Sequence, residues 1–171
     1  MKRRVGLTVL LVLSVGLALQ HVRVEQQDKR WLLNVYEAQL DVQGLGHDQW
    51  SKLYRLTQNC RRLPIDATKS QLLNIVQTYS LPDSASAQLV YVATHEQWAL
   101  AEVWFDKLSP AVVLLKEENS RWQIEPAGIW SGTTHPWRAS PFIREFLLSR
   151  NPDFPIALLH CWQAQHALWN H

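Results

Sequence analysis

The feature that most constrains the fold is a strand-forming, apolar stretch between Gln88 and Gly132. Its residues 98–105 are Trp-Ala-Leu-Ala-Glu-Val-Trp-Phe. Because side chains alternate between the two sides of a strand, one face carries Trp98, Leu100, Glu102 and Trp104. Neither face is polar, which predicts a strand covered on both sides, by helices on one and by a concavity or a partner on the other.

The same stretch predicts a hairpin. Residues 111–116 are apolar and partly β-branched, residues 117–120 are turn formers, and alternation returns from Arg121 to Ile124. Pro110 lacks an N–H and suits the start of a strand. The stretch as a whole is therefore expected to form an antiparallel sheet of three to four strands.

Helices are expected in the sequence both before and after this stretch. The pattern predicts a helix over 22–42 ended by Gly44-Leu45-Gly46, and a second helix capped by Asp48 with Trp50, Leu53, Tyr54, Leu56 and Cys60 on its buried side. A third helix ends at Tyr79, and further helices follow Ser140 and Asp153, the last running to about Leu168. The predicted class is α+β, with N-terminal helices, a central antiparallel sheet and C-terminal helices.

The N-terminus has the pattern of an export signal. Lys2-Arg3-Arg4 precede an uncharged apolar run from Val5 to Leu19. Small residues favour cleavage after Ala18, and the run is shorter than the roughly 20 residues that span a bilayer; a retained membrane anchor over 5–19 is the alternative. Residues 1–19 are therefore predicted to engage the membrane or the export machinery, and the body of the protein to be periplasmic or otherwise extracytoplasmic.

Charge excludes one class of function. Of the 17 Lys and Arg residues, three lie in the leader, which leaves 14 against 15 Asp and Glu. A nearly neutral body without a basic cluster argues against nucleic-acid binding. The residues from 20 to 171 suit a single domain, since no linker or repeat divides them.

The chain has two cysteines, Cys60 and Cys161. In an exported protein such a pair is more often a disulfide than a metal site, and this bridge would close a loop of about 100 residues and restrict the unfolded chain by about 4 to 5 kcal/mol. Two buried free thiols are the alternative, which geometry decides.

Glu102 is the strongest candidate for chemistry. A carboxylate between Trp98 and Trp104 would be partly desolvated, and its pKa would then be raised, as in general acids. The alternative is a strand-edge glutamate whose carboxylate reaches solvent or pairs with an arginine. His95 would lie near the mouth of a pocket on this side of the sheet.

No other catalytic or metal motif is found. His160, His166 and His171 are six and five residues apart, whereas ligands on one helix face need spacings of three or four. His95-Glu96 is not a zinc-protease motif because position 99 is alanine. There is no P-loop, dinucleotide fingerprint or serine-hydrolase elbow, so no cofactor or metal is expected.

The nine tryptophans suggest a binding surface. Trp31, Trp50 and Trp122 are expected in the core, while the loop and late-helix positions Trp130, Trp137, Trp162 and Trp169 are candidates for exposure. Exposed aromatic clusters mark partner surfaces, and stacking on a glycan is one hypothesis for an envelope protein.

The segments 92–101, 112–116 and 121–124, followed by Gly128, resemble a pattern in small exported bacterial domains of unassigned function, in which a W-A-x-A strand precedes a hairpin. The order of helices before a sheet is similar to that of the NTF2-like/cystatin-like superfamily. The resemblance implies a curved sheet and no particular activity, since members range from enzymes to binding modules.

The sequence therefore supports two functional hypotheses. The first is an exported or membrane-tethered, non-enzymatic domain that binds another envelope component, a protein or a glycan. The second is a small-molecule-binding protein or enzyme that uses a concave sheet pocket with Glu102 as acid or base. The candidate pocket or partner surface comprises Trp98, Glu102, Trp104, His95, Trp130 and Trp137.

Overall fold

The computed structural model describes residues 22–27, 30–57, 67–165 and 169. These residues form two antiparallel sheets and several helices, so the predicted α+β class is confirmed. The chain divides into two compact units, Met1–Gly46 and His47–His171, and the single domain over 20–171 stays a prediction. The leader and Cys60 lie outside the described residues.

The elements follow one another in a simple order. The strands are β1 (Val22–Gln27), β2 (Arg30–Val35), β3 (Ala38–Asp41), β4 (Gln88–His95), β5 (Trp98–Trp104), β6 (Ala111–Glu118) and β7 (Arg121–Ser131). The helices are α1 (Val42–Thr57), α2 (Ala67–Tyr79), α3 (Ala139–Arg150) and α4 (Ile156–Cys161), with a 3₁₀ turn at Asp83–Ser86. Within the described part of the chain, no helix is long and apolar enough to cross a bilayer.

The first unit corrects the helix predicted over 22–42. Its described residues form a three-stranded sheet in the order β1-β2-β3, followed by the start of α1. The link between β2 and β3 turns at Tyr36, which has a φ of 55°, and at Glu37, neither of which is a usual turn former. The apolar residues of this segment fit the alternation of a strand, with Leu32 buried. Because the sequence has no recognisable turn between β2 and β3, the spacing of these residues resembled that of a helix.

Helix α1 begins where the sequence predicted a helix to end. Asp41 directly precedes it, and an Asp41 carboxylate oxygen accepts the amide hydrogen of Gly44 at 2.7 Å, which is the hydrogen bond of an N-cap. Asp41 also faces Arg30 Nη1 at 3.9 Å. Gly44 therefore belongs to the first turn of a helix rather than to a terminating loop.

The two glycines of this helix are expected to respond oppositely to alanine. A Cβ at Gly44 would overlap the Asp41 carboxylate, with Asp41 Cγ at 2.6 Å, whereas a Cβ at Gly46 meets nothing within 4 Å. Gly44→Ala should displace the cap and cost about 1 to 2 kcal/mol of unfolding free energy. Gly46→Ala should add about 0.5 to 1 kcal/mol because alanine favours helix. Urea unfolding measures both, and equal effects would contradict this cap.

The second unit is built on the predicted sheet, whose four strands lie in the order β4-β5-β6-β7. The predicted hairpin joins β6 and β7, with Glu118 opposite Arg121 and with Asn119 and Ser120 at positive φ. β5 lies between β4 and β6, so Glu102 belongs to an inner strand.

Both faces of this sheet are covered by other parts of the chain. One face packs against buried residues of α3, α4 and the segment after α4, including Ile143, Leu147, Leu159 and Trp162. The opposite face packs against Leu72 and Val76 of α2. The sequence predicted helices on one side and a concavity or partner on the other, and the structure has covering residues on both.

The C-terminal helix is shorter than predicted. α4 ends at Cys161, and residues 162–165 continue without helical structure. The amide of Ala164 donates to Ser140 Oγ at 3.0 Å and that of Gln165 to the Glu102 carboxylate, so side chains replace the carbonyls that a helix would supply. Residues 162–165 together with Trp169 are called the C-terminal segment below.

Candidate functional site

Glu102 anchors the C-terminal segment on the sheet. Its side chain is fully buried. Oε2 accepts a hydrogen bond from Trp162 Nε1 at 2.9 Å, and the amide of Gln165 donates to Oε1 at 2.9 Å and to Oε2 at 3.1 Å. Trp162, also fully buried, packs edge-on against Trp169 with ring centroids 6.3 Å apart. The carboxylate thus fixes residues that cover this face of the sheet.

This arrangement corrects the sequence interpretation of Glu102. The residue is not at a strand edge, and its carboxylate does not reach solvent. A buried carboxylate needs hydrogen-bond donors, and here an indole and a main-chain amide supply them. The geometry therefore supports a structural role.

The other predicted surface residues do not gather into one exposed site. Trp98 packs in the core against Phe154, with centroids 5.2 Å apart, and Trp130 packs between Phe142 and Phe146. Trp137 is buried, whereas Trp104 and His95 are exposed.

Most of the tryptophans expected in loops or late helix turns are buried, and two of those expected in the core are exposed. Trp137, Trp162 and Trp169 are buried, and the Trp169 indole donates to the Gly132 carbonyl at 3.0 Å. Trp31 and Trp50 are exposed. The three buried tryptophans lie outside the α-helices, so helical periodicity in the sequence does not predict their burial.

The predicted bridge between Cys60 and Cys161 stays a prediction, because Cys60 lies outside the described residues. Cys161 ends α4, and no cysteine among the described residues is free.

A second site, not foreseen from the sequence, is a buried polar cluster beneath α1. Arg144 of α3 is almost fully buried. Its Nη2 donates to Asp48 Oδ1 at 3.2 Å, its Nη1 donates to Ser51 Oγ, and its Nε donates to the Ser140 carbonyl at 2.9 Å. Arg138 Nε lies 2.5 Å from Asp48 Oδ2. Asp48 was predicted as an N-cap; it instead lies inside α1 and binds both arginines.

Two further contacts extend this cluster toward α4. The Tyr54 and His160 rings are 4.9 Å apart, and Arg55 Nη2 donates to Gln163 Oε1 at 3.0 Å. The buried Nη1 of Arg55 and Nδ1 of His160 make no hydrogen bond within the described part of the chain. The polar cluster is defined below as Asp48, Ser51, Arg55, Arg138, Arg144 and His160.

Burial sets the electrostatics of the polar cluster. It lowers the pKa of the Arg144 guanidinium to about 10, against the opposing effect of Asp48, so Arg144 stays charged at neutral pH. Burial also lowers the pKa of His160, and the positive charges of Arg144 and His47 act in the same direction. His160 is therefore expected to be neutral at pH 7 and to resist protonation.

The stability of the fold is expected to fall on acidification through His160. Because its folded pKa is depressed, the unfolded chain binds the proton more readily below the ordinary pKa of about 6.5. The unfolding free energy should thus be lower at pH 5.5 than at pH 7.5. In His160→Phe, which retains a ring beside Tyr54, this decrease should be smaller. Urea unfolding at both pH values tests it, and identical pH dependence in the two proteins would contradict it.

The polar cluster orients α1 with its apolar side outward. Asp48, Ser51 and Arg55 have helical spacing and lie on the side of α1 that contacts α3 and the C-terminal segment. On the opposite side Trp50, Leu53 and Leu56 are 66%, 57% and 83% exposed. These three side chains are called the apolar face of α1.

The apolar face of α1 overturns the prediction that these residues are buried. Hydrophobic periodicity assumes that the apolar side of a helix faces the core, and α1 does the reverse. The available signal was in α3, where Arg144 stands three residues before the apolar Leu147 and therefore falls on the buried side. A buried arginine needs a carboxylate partner, which Asp48 supplies.

The chain thus has an α+β fold in which the four-stranded sheet is covered on both faces and α1 exposes Trp50, Leu53 and Leu56. No group of side chains suited to a metal is found among the described residues. No protein-family model matches the chain, and no match is found among curated proteins or solved structures.

Proposed function

We propose that this protein is an exported or membrane-tethered, non-enzymatic domain that binds another component of the cell envelope through the apolar face of α1. The observation that carries the proposal is the orientation of α1, whose polar side is used in internal contacts while Trp50, Leu53 and Leu56 face outward.

Contiguous exposed apolar side chains favour association. Exposed hydrophobic residues are common singly, but a cluster on one helix face marks an interaction surface, and tryptophan is enriched at the centres of such surfaces. The three side chains follow one another at intervals of three residues and so form one surface. Burial of that surface by a partner is favourable at about 25 cal/mol per Å² of apolar area.

The state of Glu102 favours binding over catalysis. Both carboxylate oxygens accept hydrogen bonds from the C-terminal segment, and the side chain is fully buried. A general acid must come within hydrogen-bond reach of its substrate, directly or through one water. Export rests on the basic and then apolar leader, Lys2-Arg3-Arg4 followed by Val5–Leu19.

The test is cross-linking in the native envelope followed by affinity capture of the tagged full chain. Wild type should capture one dominant envelope component, and the double variant Leu53→Ala/Leu56→Ala should lose it. Leu108→Ala, which changes an exposed leucine outside α1, should keep it. Equal capture by all three proteins, or no capture by wild type, would overturn the proposal.

A further inference from the structure

We infer that the partner of α1 is a second copy of this chain, whose α1 packs against the first in antiparallel orientation about a two-fold axis beside Gln49. The inference rests on the proposed function, since a second exported copy is itself a component of the envelope, and it names the partner of the same helix. The exposed apolar residues of α1 support it, because their spacing along the helix reads the same in both directions.

The exposed apolar residues of α1 continue from its apolar face toward the start of the helix. Val42 and Leu45 are 49% and 37% exposed and lie on the side of α1 that carries Leu53 and Leu56. At about 100° per residue, these four directions fall within about 80° around the helix, with the exposed Gln49 at their centre. Val42, Leu45, Leu53 and Leu56 are called the apolar stripe below.

The apolar stripe is symmetric about Gln49. Leu45 and Leu53 lie four residues before and after Gln49, and Val42 and Leu56 lie seven residues before and after it. Two antiparallel copies of α1 therefore place Leu45 beside Leu53 of the second copy, and Val42 beside Leu56 of the second copy. A two-fold pair requires such symmetry, because each apolar residue must meet an apolar residue of the same sequence. An unrelated partner does not require it.

Gln49 suits the position on the two-fold axis, where a residue meets its own copy. A charged side chain there would repel its copy, whereas an amide group has both donors and an acceptor. The two Gln49 side chains can therefore hydrogen-bond to each other. One polar residue within an apolar helix interface also specifies the register of the two helices.

The charges of α1 permit this pairing. Asp48 is buried against Arg144 and takes no part in the contact. The exposed Lys52 lies beside the apolar stripe, and the two Lys52 residues of a pair are about 9 Å apart along the helix axes. This separation is close to the Debye length of about 8 Å at physiological ionic strength, so their repulsion is weak. An acidic partner would use Lys52 but would not need the symmetry of the stripe.

Trp50 flanks the apolar stripe one residue from the axis. Its direction is about 100° from that of Gln49, and the two-fold axis places the Trp50 side chains of both copies on the same side of the helix pair. Each exposed indole can there cover the edge of the contact, and tryptophan is enriched in protein interfaces.

Capture of one copy by another tests the inference. Two full-length forms of the chain with different affinity tags are produced together and cross-linked in the native envelope, and the amount of one form recovered with the other is measured. Cross-linking is used because a contact confined to one helix pair is small beside the roughly 1,200 to 2,000 Å² of a stable interface, and the dimer is expected to exchange. Replacing the exposed Gln49 should leave urea unfolding unchanged.

Wild-type copies should capture each other. Gln49→Glu in both copies, or Gln49→Lys in both, places like charges at the axis and should lower co-capture at least about tenfold. One Gln49→Glu copy with one Gln49→Lys copy should restore co-capture to within about twofold of wild type, because opposite charges then meet. Gln97→Glu and Gln97→Lys, at an exposed turn outside α1, should keep wild-type co-capture in every combination.

Three outcomes would overturn the inference: no co-capture by wild type, undiminished co-capture by copies with like charges at position 49, or no recovery in the mixed pair. These are separable from failure of the proposed function. Capture of a different envelope component that depends on Leu53 and Leu56, without co-capture of the second copy, would overturn the second-copy inference and leave the proposed function standing. Absence of both would overturn both.

Discussion

Glu102→Ala is expected to lower the unfolding free energy by about 3 to 5 kcal/mol. The change removes the acceptors of the Trp162 indole and the Gln165 amide and leaves a cavity in a fully buried position. Unsatisfied buried donors cost about 1 to 3 kcal/mol, and the lost side-chain volume adds to this cost. Urea unfolding measures the loss.

Glu102→Gln should cost less, about 1 to 3 kcal/mol, because the amide keeps one acceptor oxygen but turns an N–H group toward a donor. Glu118→Gln is the matched control, since this glutamate is exposed and pairs with Lys116 at 2.9 Å; it should change stability by less than about 0.5 kcal/mol. If Glu102→Gln left stability unchanged, the anchoring role would be wrong. Loss of activity in this variant therefore does not identify a catalytic acid unless its stability is measured as well.

Asp48→Ala is expected to cost about 3 to 5 kcal/mol. It leaves the buried Arg144 guanidinium without its carboxylate, and breaking one partner of a buried ion pair is costly. Arg138→Ala, which removes the other partner of Asp48, should cost at most about 1 kcal/mol because the Arg138 side chain is 46% exposed. Chemical denaturation of both variants compares the contribution of the buried Asp48–Arg144 pair to stability with that of the more exposed Asp48–Arg138 pair.

A double substitution tests whether the unpaired charge of Arg144 causes this loss of stability. Asp48→Leu/Arg144→Leu removes both charges and should be more stable than Asp48→Ala, because apolar residues can replace a buried ion pair with little loss. If the double variant were as unstable as Asp48→Ala, the unpaired charge of Arg144 would not be the source of the cost. Ser51 also contacts Arg144, so its hydroxyl should become unsatisfied in the double variant and limit the recovery.

The sheet of the second unit was predictable because its signals are local. Alternation over 98–105, apolar residues 111–116 and the turn at Asn119 and Ser120 each follow from neighbouring side chains, and β5, β6 and β7 formed as expected. The first unit was not predictable in this way. Its turn at Tyr36 and Glu37 lacks the usual turn formers, so the periodicity of β2 and β3 resembled that of a helix.

The candidate site was least predictable because it depends on contacts distant in sequence. The orientation of α1 follows from Asp48 and Ser51 binding Arg144, more than ninety residues away. The role of Glu102 follows from Gln165, which lies in a segment predicted to be helical. In both places a polar group determines which side of an element is buried, whereas hydrophobic periodicity assigns that side to apolar residues.

The most direct test of the outward apolar face of α1 is the unfolding free energy of Leu53→Ala/Leu56→Ala compared with that of Leu72→Ala. Leu72 is a fully buried leucine of α2, so its replacement should cost about 2 to 5 kcal/mol. The double variant in α1 should cost less than about 1 kcal/mol, because both side chains are mostly exposed to water and alanine favours helix. A loss of 4 kcal/mol or more in the double variant, on the order of two core truncations, would place these leucines in the core and contradict the account.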